Sequence, residues 1–551
     1  MGSLMRAVVF ALATSAFVLG TPLVNDLEPG QEWPPRNSVR QPSEIAEPEK
    51  EELVAPEKVL PNQQTEKVQN NGEAVIIEAS KEPSSEIPPD AESAADEQSE
   101  TDSVLPKVAN PKNEVERVDY TGAQVWKVST EKTGIRPLLR TLRRRNLIQT
   151  WGGNGTYIDV LIKPNAVANV TEIFKKENVR YIVVIENLQK MIDEENPPLD
   201  ENEAELQDRR ARAYNFWRYR ASRFGIMGAY MGYNTLNVPM EYWAYAHWGH
   251  RMNWKQYHRL EDIHGFLDYL AKTYPALVSV KTIGKSHQGR ELKLLRISDG
   301  KPTNKAVFID GGIHAREWIS PATVTYFINQ FAENFDVESD DIKNIDWYFL
   351  PVVNPDGYEF THVGDRLWRK NRRNSLSGRA CSGVDLNRNF GYRWGGKGTS
   401  NNQCSEIYRG PRAFSEPESR AISDFFKNSA ANFTAYLTYH SYGQYLLYPW
   451  GYDNVVPPDY KQLDALGKKM AAVIESTSGY KYTVGSSSNT LYPAAGGSDD
   501  WAKAQGVKYS YTVELSDTGR YGFVLPTTYI EPVAKGSLAA LRVLAEQVNK
   551  E

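Results

Sequence analysis

From His250 to the carboxyl terminus, the chain alternates between apolar patterns typical of strands and of helices, and this alternation limits the possible folds more than any other feature. The segments AVFIDG, FTAYLTYH and VKYSYTVEL have the composition of buried strands, whereas KKMAAVIEST and AKGSLAALRVLAEQV have helical spacing. Strands that alternate with helices build a sheet covered by helices on both faces. We therefore predict one α/β domain over residues 250–551, with a mixed, mainly parallel sheet.

A smaller folded unit is predicted over residues 116–195. The segments AQVWKVS, YIDVLI and RYIVVI have strand patterns, and IRPLLRTLRRR and ANVTEIFKKE have helical ones, which together indicate an α+β domain. Arg143, Arg144 and Arg145 lie within its first predicted helix, but no aromatic residues alternate with them. We interpret this cluster as a solvated helix face rather than as a nucleic-acid site.

The amino-terminal segment lacks the composition of a folded domain. A basic start ending at Arg6 is followed by the short apolar run Ala7 to Gly20, which predicts a secretory signal peptide over residues 1–20. Residues 34–119 contain no Phe, Trp, Tyr, His or Cys, so they offer too little apolar surface to offset the entropy of ordering. We predict an acidic, disordered segment over residues 21–115.

The charge and hydropathy of the chain argue against two classes of partner. Its net charge is -5 and its pI is about 6.0, so the whole molecule has no positive field that would attract nucleic acid. Mean hydropathy is -0.54, and no apolar run reaches the ~18 residues that a membrane-spanning helix needs. We expect neither nucleic acid nor membrane as a partner, and we expect a secreted, extracellular monomer.

Residues 196–249 are the predicted connection between the two folded domains. The segment begins with acidic residues, continues through an arginine-rich stretch and ends in an aromatic-rich run. Exposed arginines on such a connection are natural sites for a trypsin-like protease. The arginine cleaved is left open, and Arg223 and Arg251 are as possible as the earlier cluster.

Two cysteines, Cys381 and Cys404, are the only ones in the chain. In an oxidising compartment this pair favours a disulfide over two free thiols. On the chain-entropy model, closing a loop of this size stabilises a protein by roughly 3 kcal/mol.

Three residues have the chemistry of a catalytic metal site. His314 and Glu317 follow the strand pattern AVFIDG three residues apart, so both could face one ion. His440, one of eight histidines, ends another strand pattern, at the kind of sheet edge where α/β proteins place their sites. Two imidazoles and one carboxylate suit a catalytic Zn²⁺ with a fourth position for water.

Seven motifs around these residues resemble, in order and spacing, those of the A/B subfamily of zinc carboxypeptidases, and most of all its pancreatic B type. They are HAREW, NPDGYEF, LWRKNR, GVDLNRNF, HSYGQYLLYP, LYPAAGGSDDW and YTVELSDTGRYGF. The segment YTGAQVWKV looks like the opening of that family's inhibitory propeptide, which implies a ferredoxin-like prodomain over residues 116–195. The family also has a disulfide where the two cysteines stand.

The resemblance implies a role for each residue around the metal. The three implied zinc ligands are His314, Glu317 and His440. Asp385 would accept the outer N–H of His314 and fix its tautomer. Glu514 would be the general base that takes a proton from water and passes it to the leaving amine. Arg369 would polarise the scissile carbonyl and stabilise the oxyanion.

The resemblance also implies how a peptide or protein C-terminus is bound. The residues that match the family's site for the terminal carboxylate are Asn387, Arg388 and Tyr492. Arg316 and Tyr442 resemble residues of the next subsite inward. Asp499 matches the base of the pocket for the terminal side chain, where a carboxylate marks the B type and favours Lys or Arg. Gly451 keeps the pocket roomy, while Ser487 stands where a glycine is usual.

These expectations together describe a secreted zymogen whose prodomain caps the cleft until proteolysis releases it. Two alternatives stay open at this point. One is A-type specificity for apolar or aromatic C-terminal residues, and the other is a catalytically silent, secreted binding module of the same fold.

Overall fold

The computed structural model describes residues 116–201, 204–205, 250–375 and 381–551. The predicted signal peptide, the predicted acidic segment and nearly all of the predicted connection, including Arg223, lie outside these residues. The domain boundaries drawn from the sequence therefore stay predictions. None of the helices in the described ranges is both long and apolar enough to cross a bilayer.

The first domain has the α+β composition that the sequence predicts, with helices packed on a four-stranded antiparallel sheet. Its strands, in the order β2-β3-β1-β4 across the sheet, are β1 (Gln124–Ser129), β2 (Ile148–Gly153), β3 (Tyr157–Ile162) and β4 (Tyr181–Ile185). Its helices are α1 (Ile135–Arg144), α2 (Val167–Lys176) and α3 (Leu188–Glu195). Hereafter we call residues 116–195 the prodomain.

The two faces of the prodomain sheet have different partners because side chains alternate along each strand. Trp126 and Val128 of β1 pack with Phe174 of α2 in one apolar cluster. Val125, which directly precedes Trp126, points to the opposite face and packs in a second cluster with Phe523 of the larger domain. The prodomain therefore carries its helices α1 and α2 on the face that points away from the larger domain.

The larger domain is built on an eight-stranded mixed sheet in the described residues. In the order β11-β10-β12-β9-β7-β8-β6-β5, its strands are β5 (Val278–Lys285), β6 (Glu291–Ile297), β7 (Lys305–Asp310), β8 (Ile345–Leu350), β9 (Phe433–Ser441), β10 (Tyr445–Tyr448), β11 (Thr483–Ser486) and β12 (Tyr509–Leu515). The strands β12, β9, β7 and β8 at its centre are parallel, and β5, β6 and β10 pair antiparallel with a neighbour.

Helices cover both faces of this sheet. They are α4 (Leu260–Thr273), α5 (Ile319–Glu333), α6 (Asp340–Lys343), α7 (Pro355–Val363), α8 (Pro417–Asn428), α9 (Tyr460–Ser478), α10 (Ser487–Thr490), α11 (Ser498–Ala504) and α12 (Ile530–Asn549). On β7, Val307 faces a cluster that contains Leu541 of α12, and the next residue, Phe308, faces a cluster that contains Trp501 of α11. Burial on both faces explains why the central strands are apolar throughout.

The cysteines form the predicted disulfide, since Cys381 and Cys404 are bonded to each other. Several elements were not anticipated from the sequence. The strand β2 was missed because its sequence, IQTWGG, has no regular alternation and ends in two glycines. The four-residue strands β10 and β11 are too short to show a period.

Candidate active site

The loop between β7 and α5 carries His314 and Glu317. Its shape depends on Gly312, which has φ of 64°, a conformation that residues with a Cβ rarely adopt. The N–H of Gly312 donates to Ser320 Oγ at 2.9 Å, and that hydroxyl donates to the carbonyl of Tyr439 on β9 at 2.6 Å. The loop is therefore fixed beside the end of β9, where the next residue is the second predicted histidine.

The side chains of the three predicted metal ligands converge on one point. Their ligand atoms all lie within 4.8 Å of one another. His314 Nδ1 is 2.8 Å from Glu317 Oε1, His440 Nδ1 is 3.1 Å from Glu317 Oε2, and the two Nδ1 atoms are 3.1 Å apart. All three residues are buried. Ligands from a loop and from a separate strand, 123 residues apart in sequence, thus meet as predicted.

The chemistry of this donor set fits a zinc ion. Asp385 Oδ1 lies 3.2 Å from Nε2 of His314, which holds the ring proton on that outer nitrogen and leaves Nδ1 with a lone pair. That lone pair faces the carboxylate of Glu317 and the ring nitrogen of His440, so a metal cation bound between the three groups would stabilise the arrangement. Burial lowers the pKa of His314, which favours the neutral imidazole that binds metal.

Two charged residues flank the metal ligands. Glu514 on β12 is in register with His440 on β9, and both line one cleft. Burial raises the pKa of Glu514 to about 7, with His440 and Arg369 opposing the rise. Arg369 donates to Asp385 Oδ2 from Nη2 at 2.9 Å and from Nε at 3.2 Å. No described residue accepts a hydrogen bond from Nη1 of Arg369. Arg369 and Glu514 both line the cleft.

Asp385 contacts both His314 and Arg369. Burial alone would raise the pKa of Asp385, but the guanidinium groups of Arg369 and Arg388 hold that pKa well below its usual range. The carboxylate therefore stays ionised and orients both His314 and Arg369. This single residue couples the geometry of the metal site to that of the adjacent cation.

The predicted carboxylate-binding residues lie together in the cleft. Arg388 donates from Nε to the carbonyl of Gly398 at 3.0 Å and from Nη1 to the carbonyl of Asn387 at 2.7 Å. Its Nη2 has no acceptor in the described part of the chain. The Oδ1 of Asn387 accepts from the N–H of Ser498 at 2.9 Å, which fixes that amide. Tyr492 is 50% exposed at the mouth of the same cleft.

Asp499, predicted to form the base of the side-chain pocket, lies in the same cleft. This residue is only 6% exposed and lines the cleft, and burial raises its pKa. The neighbouring carboxylate of Asp500 is instead bound to backbone, accepting from the N–H groups of Gly451 at 2.7 Å and Tyr452 at 2.8 Å. Sequence reasoning missed that Asp500 fixes the backbone of the pocket. A Cβ on Gly451 would lie 3.5 Å from that of Ser487, so these two residues are neighbours in the lining of the pocket.

The prodomain forms part of the same cleft. Its contributions to the lining are Trp151, Gly152, Gly153 and Tyr157. The hydroxyl of Tyr442 donates to Asp159 Oδ2 at 2.9 Å, and the ring of Trp151 lies 5.1 Å from that of Phe523. Burial raises the pKa of Asp159 to about 6. No local sequence signal marks these contacts, because they join residues hundreds of positions apart.

Most of the residues predicted from the sequence therefore share one cleft. Those that line it are His314, Glu317, Arg369, Asn387, Arg388, His440, Tyr442, Gly451, Ser487, Tyr492, Asp499 and Glu514. Asp385 lies behind His314, as expected. Arg316 is buried beside the cleft, with its guanidinium 4.1 Å from the ring centre of Phe523 and 3.6 Å from Glu406.

Two protein-family models match the chain. The model described as zinc carboxypeptidase matches residues 263–540, and the one described as carboxypeptidase activation peptide matches residues 126–195. The chain belongs to the zinc carboxypeptidase family. The matched ranges correspond to the larger domain and to the prodomain, so the carboxypeptidase is made as a zymogen with an activation peptide.

Named relatives include both types of this family. Carboxypeptidase B of Astacus astacus is 47% identical over 299 residues, which is 54% of this chain and 99% of the relative. Carboxypeptidase A1 of Sus scrofa is 35% identical over 436 residues, which is 78% of this chain and 94% of the relative. The crystal structure of thrombin activatable fibrinolysis inhibitor is similar with a TM-score of 0.65 and 31% identity, covering 78% of this chain and 100% of that chain.

Membership establishes the general chemistry. The carboxypeptidase is a zinc-dependent hydrolase, and the His-Glu-His group of the cleft could bind the metal. The α/β fold with a mixed sheet and a preceding α+β activation domain is confirmed. The type of C-terminal residue that is removed is not decided by these relatives, since A and B types both occur among them.

Proposed function

We propose that the carboxypeptidase, after a trypsin-like protease has removed its prodomain, hydrolyses the last peptide bond of peptides that end in Lys or Arg. The observation that carries this proposal is the buried carboxylate of Asp499 in the lining of the cleft. No described Lys or Arg lies within ion-pair distance of Asp499, and a buried carboxylate without a cation is costly. A terminal ammonium or guanidinium would supply the missing charge.

Asp500 does not compete for this role. Both of its oxygens accept backbone N–H groups of Gly451 and Tyr452, so they are already engaged within the protein. Asp499 is therefore the acidic group offered to the substrate. An apolar C-terminal side chain would bury that carboxylate without a partner, which argues against the A type.

The residues around the metal ligands supply the groups that hydrolysis requires. His314, Glu317 and His440 would hold the zinc ion, which would supply Lewis-acid chemistry toward water and the scissile carbonyl. Glu514 takes the proton of the attacking water and returns it to the leaving nitrogen. The Nη1 group of Arg369 donates to the oxygen on which negative charge grows.

Recognition of a free C-terminus is assigned to Arg388, Asn387 and Tyr492. The Nη2 of Arg388 lacks an acceptor in the described residues, and a guanidinium binds a carboxylate with directional, charge-assisted bonds. The amide of Asn387 is held in place by Ser498. We assign Tyr442 and Arg316 to the next subsite inward. Internal peptide segments lack the terminal carboxylate, so the cleft selects for exopeptidase action.

The prodomain keeps the cleft closed in the proposed zymogen. Its residues Trp151 and Tyr157 line the cleft, and the contact of Asp159 with Tyr442 holds the prodomain there, so it would obstruct a substrate chain. The arginine-rich connection supplies the proposed cleavage sites, and the apolar amino-terminal run supplies the proposed secretion signal. We propose that the active enzyme works as an extracellular monomer.

The direct test is to trypsinise the purified protein and follow release of C-terminal amino acids by mass spectrometry. We expect release of Lys and Arg from peptides that differ only in the last residue, loss of activity on chelation and recovery on adding Zn²⁺. Preference for terminal Phe would contradict B-type specificity. Stoichiometric zinc with no hydrolysis after prodomain removal would instead identify a silent binding module.

Replacing Asp499 by asparagine is expected to lower kcat/KM for peptides ending in Arg by roughly 10- to 100-fold, because a hydrogen bond between charged groups contributes about 1.5–3 kcal/mol. The value for peptides ending in Phe should stay constant or rise. Asp424→Asn, at an exposed position of α8, removes the same charge far from the cleft and serves as the control. An unchanged Arg-to-Phe ratio in the Asp499 variant would contradict the assignment.

A further inference from the structure

The outer face of prodomain helix α1 carries a group of arginines with no acidic neighbours in sequence. Between residues 135 and 145 there are five arginines and no Asp or Glu. The apolar residues Ile135, Leu139 and Leu142 are buried against the sheet. At 100° per residue, Arg140, Arg143 and Arg144 fall together on the exposed side of the helix. We call these three residues the α1 arginine face.

These arginines are unpaired in the part of the chain that the structure describes. Arg136, one turn earlier, donates to the backbone carbonyls of Asn154 and Gly155, so its side chain is already bonded within the prodomain. The side chains of the α1 arginine face make no ion pair or hydrogen bond with a described residue, and all three are exposed. Like charges three and four residues apart on a helix repel each other. An anionic ligand would remove that repulsion.

The position of the face keeps it clear of the active site. Helix α1 packs on the side of the prodomain sheet that carries Trp126 and Val128, whereas Val125 and Trp151 on the other side meet the larger domain. A ligand on α1 would therefore not block the cleft. It would stay with the prodomain when the connection is cut.

We propose that the α1 arginine face binds a sulfated polysaccharide and tethers the zymogen to it. Guanidinium groups bind sulfate oxygens with paired, charge-assisted hydrogen bonds, and an extended, repeating polyanion can contact several of them at once. The face has no exposed aromatic residues for stacking on bases. Its apolar residues are buried in the prodomain core, so it offers nothing to insert into a membrane.

This inference goes beyond the proposed function and does not depend on it. Its consequence is that cleavage of the connection and release of the prodomain also free the active enzyme from the polysaccharide. The zymogen would thus be localised while the mature carboxypeptidase diffuses away. The α1 arginine face would then have a role that is separate from hydrolysis.

The test uses the full-length zymogen, with heparin as the probe, in a salt-gradient column and in fluorescence anisotropy with a labelled heparin fragment. We expect the triple variant R140A/R143A/R144A to bind at least tenfold more weakly and to elute at lower salt. The variant R420A/K461A/K469A removes three exposed charges from the larger domain and should bind like the parent. The trypsin-activated enzyme, separated from its prodomain, should lose the high-salt elution.

Three results would overturn the proposal. These are absence of binding by the parent zymogen, equal binding by the α1 variant, and affinity for a DNA duplex or for phosphatidylserine vesicles that equals the affinity for heparin. Thermal unfolding and the activity released by trypsin report whether the α1 variant is folded. If it is not, the single variants R140A and R144A, at exposed positions, replace it. Because hydrolysis is measured separately, loss of heparin binding with full activity is distinguishable from failure of the proposed function.

Discussion

Replacing Glu514 by glutamine is expected to lower kcat by roughly 10²- to 10⁴-fold, the range usual for loss of a general acid–base group. The amide has nearly the same volume but cannot take the proton of the attacking water. Glu514 is in register with His440 on the neighbouring strand, yet it is not one of the three converging ligands. Zinc content, measured by elemental mass spectrometry, should therefore stay at one ion per chain.

Two measurements separate this role from a structural one. The affinity of the activated variant for free arginine, the reaction product, should be unchanged. The substitution leaves intact both Arg388, which binds the terminal carboxylate, and Asp499, which binds the terminal side chain. Glu338→Gln, a conservative change at a carboxylate paired with Arg542 far from the cleft, should leave kcat unaltered. A Glu514 variant with the parental rate would rule out general-base catalysis by this residue.

The sequence predicted the parts of the fold that are set by local periodicity. Long strands such as β9 and long helices such as α12 repeat their apolar pattern often enough to be recognised. His440 could be placed at a sheet edge because its strand pattern ends there. The pairing of β9 with β12, which brings Glu514 beside His440, is a long-range contact that no local pattern contains.

Contacts between the prodomain and the larger domain could not be predicted in this way. Asp159 follows a normal strand alternation, and nothing near it in sequence indicates a bond to Tyr442, 283 residues away. Glu195 belongs to an acidic run whose members are mostly solvated, as its neighbour Glu194 is. Only the folded arrangement distinguishes the one buried carboxylate from the exposed ones around it.

Replacing Glu195 by glutamine is expected to weaken docking of the cleaved prodomain by roughly 30- to 5000-fold, since losing one partner of a buried, hydrogen-bonded charge pair costs about 2–5 kcal/mol. Glu195 is 1% exposed at the end of α3, and its carboxylate accepts from Arg366 Nε at 2.7 Å and Nη2 at 2.5 Å. Burial raises the pKa of Glu195 to about 7, with Arg366 opposing the rise. The measurement therefore belongs at about pH 8.5, above that pKa, where the carboxylate is ionised.

The dissociation constant follows from the recovery of activity when the trypsin-cleaved zymogen is diluted. Glu194→Gln is the matched control, because that side chain is 62% exposed and its ion pair with Lys190 is 3.8 Å long, so a change below about fivefold is expected. Arg366 also donates to the carbonyls of Arg316 at 2.9 Å and Phe523 at 2.7 Å, so a substitution there would disturb the cleft as well. Changing Glu195 alters only the prodomain side and must leave kcat of the separated enzyme constant. A dilution curve identical to that of the parent would show that the buried pair contributes nothing to inhibition.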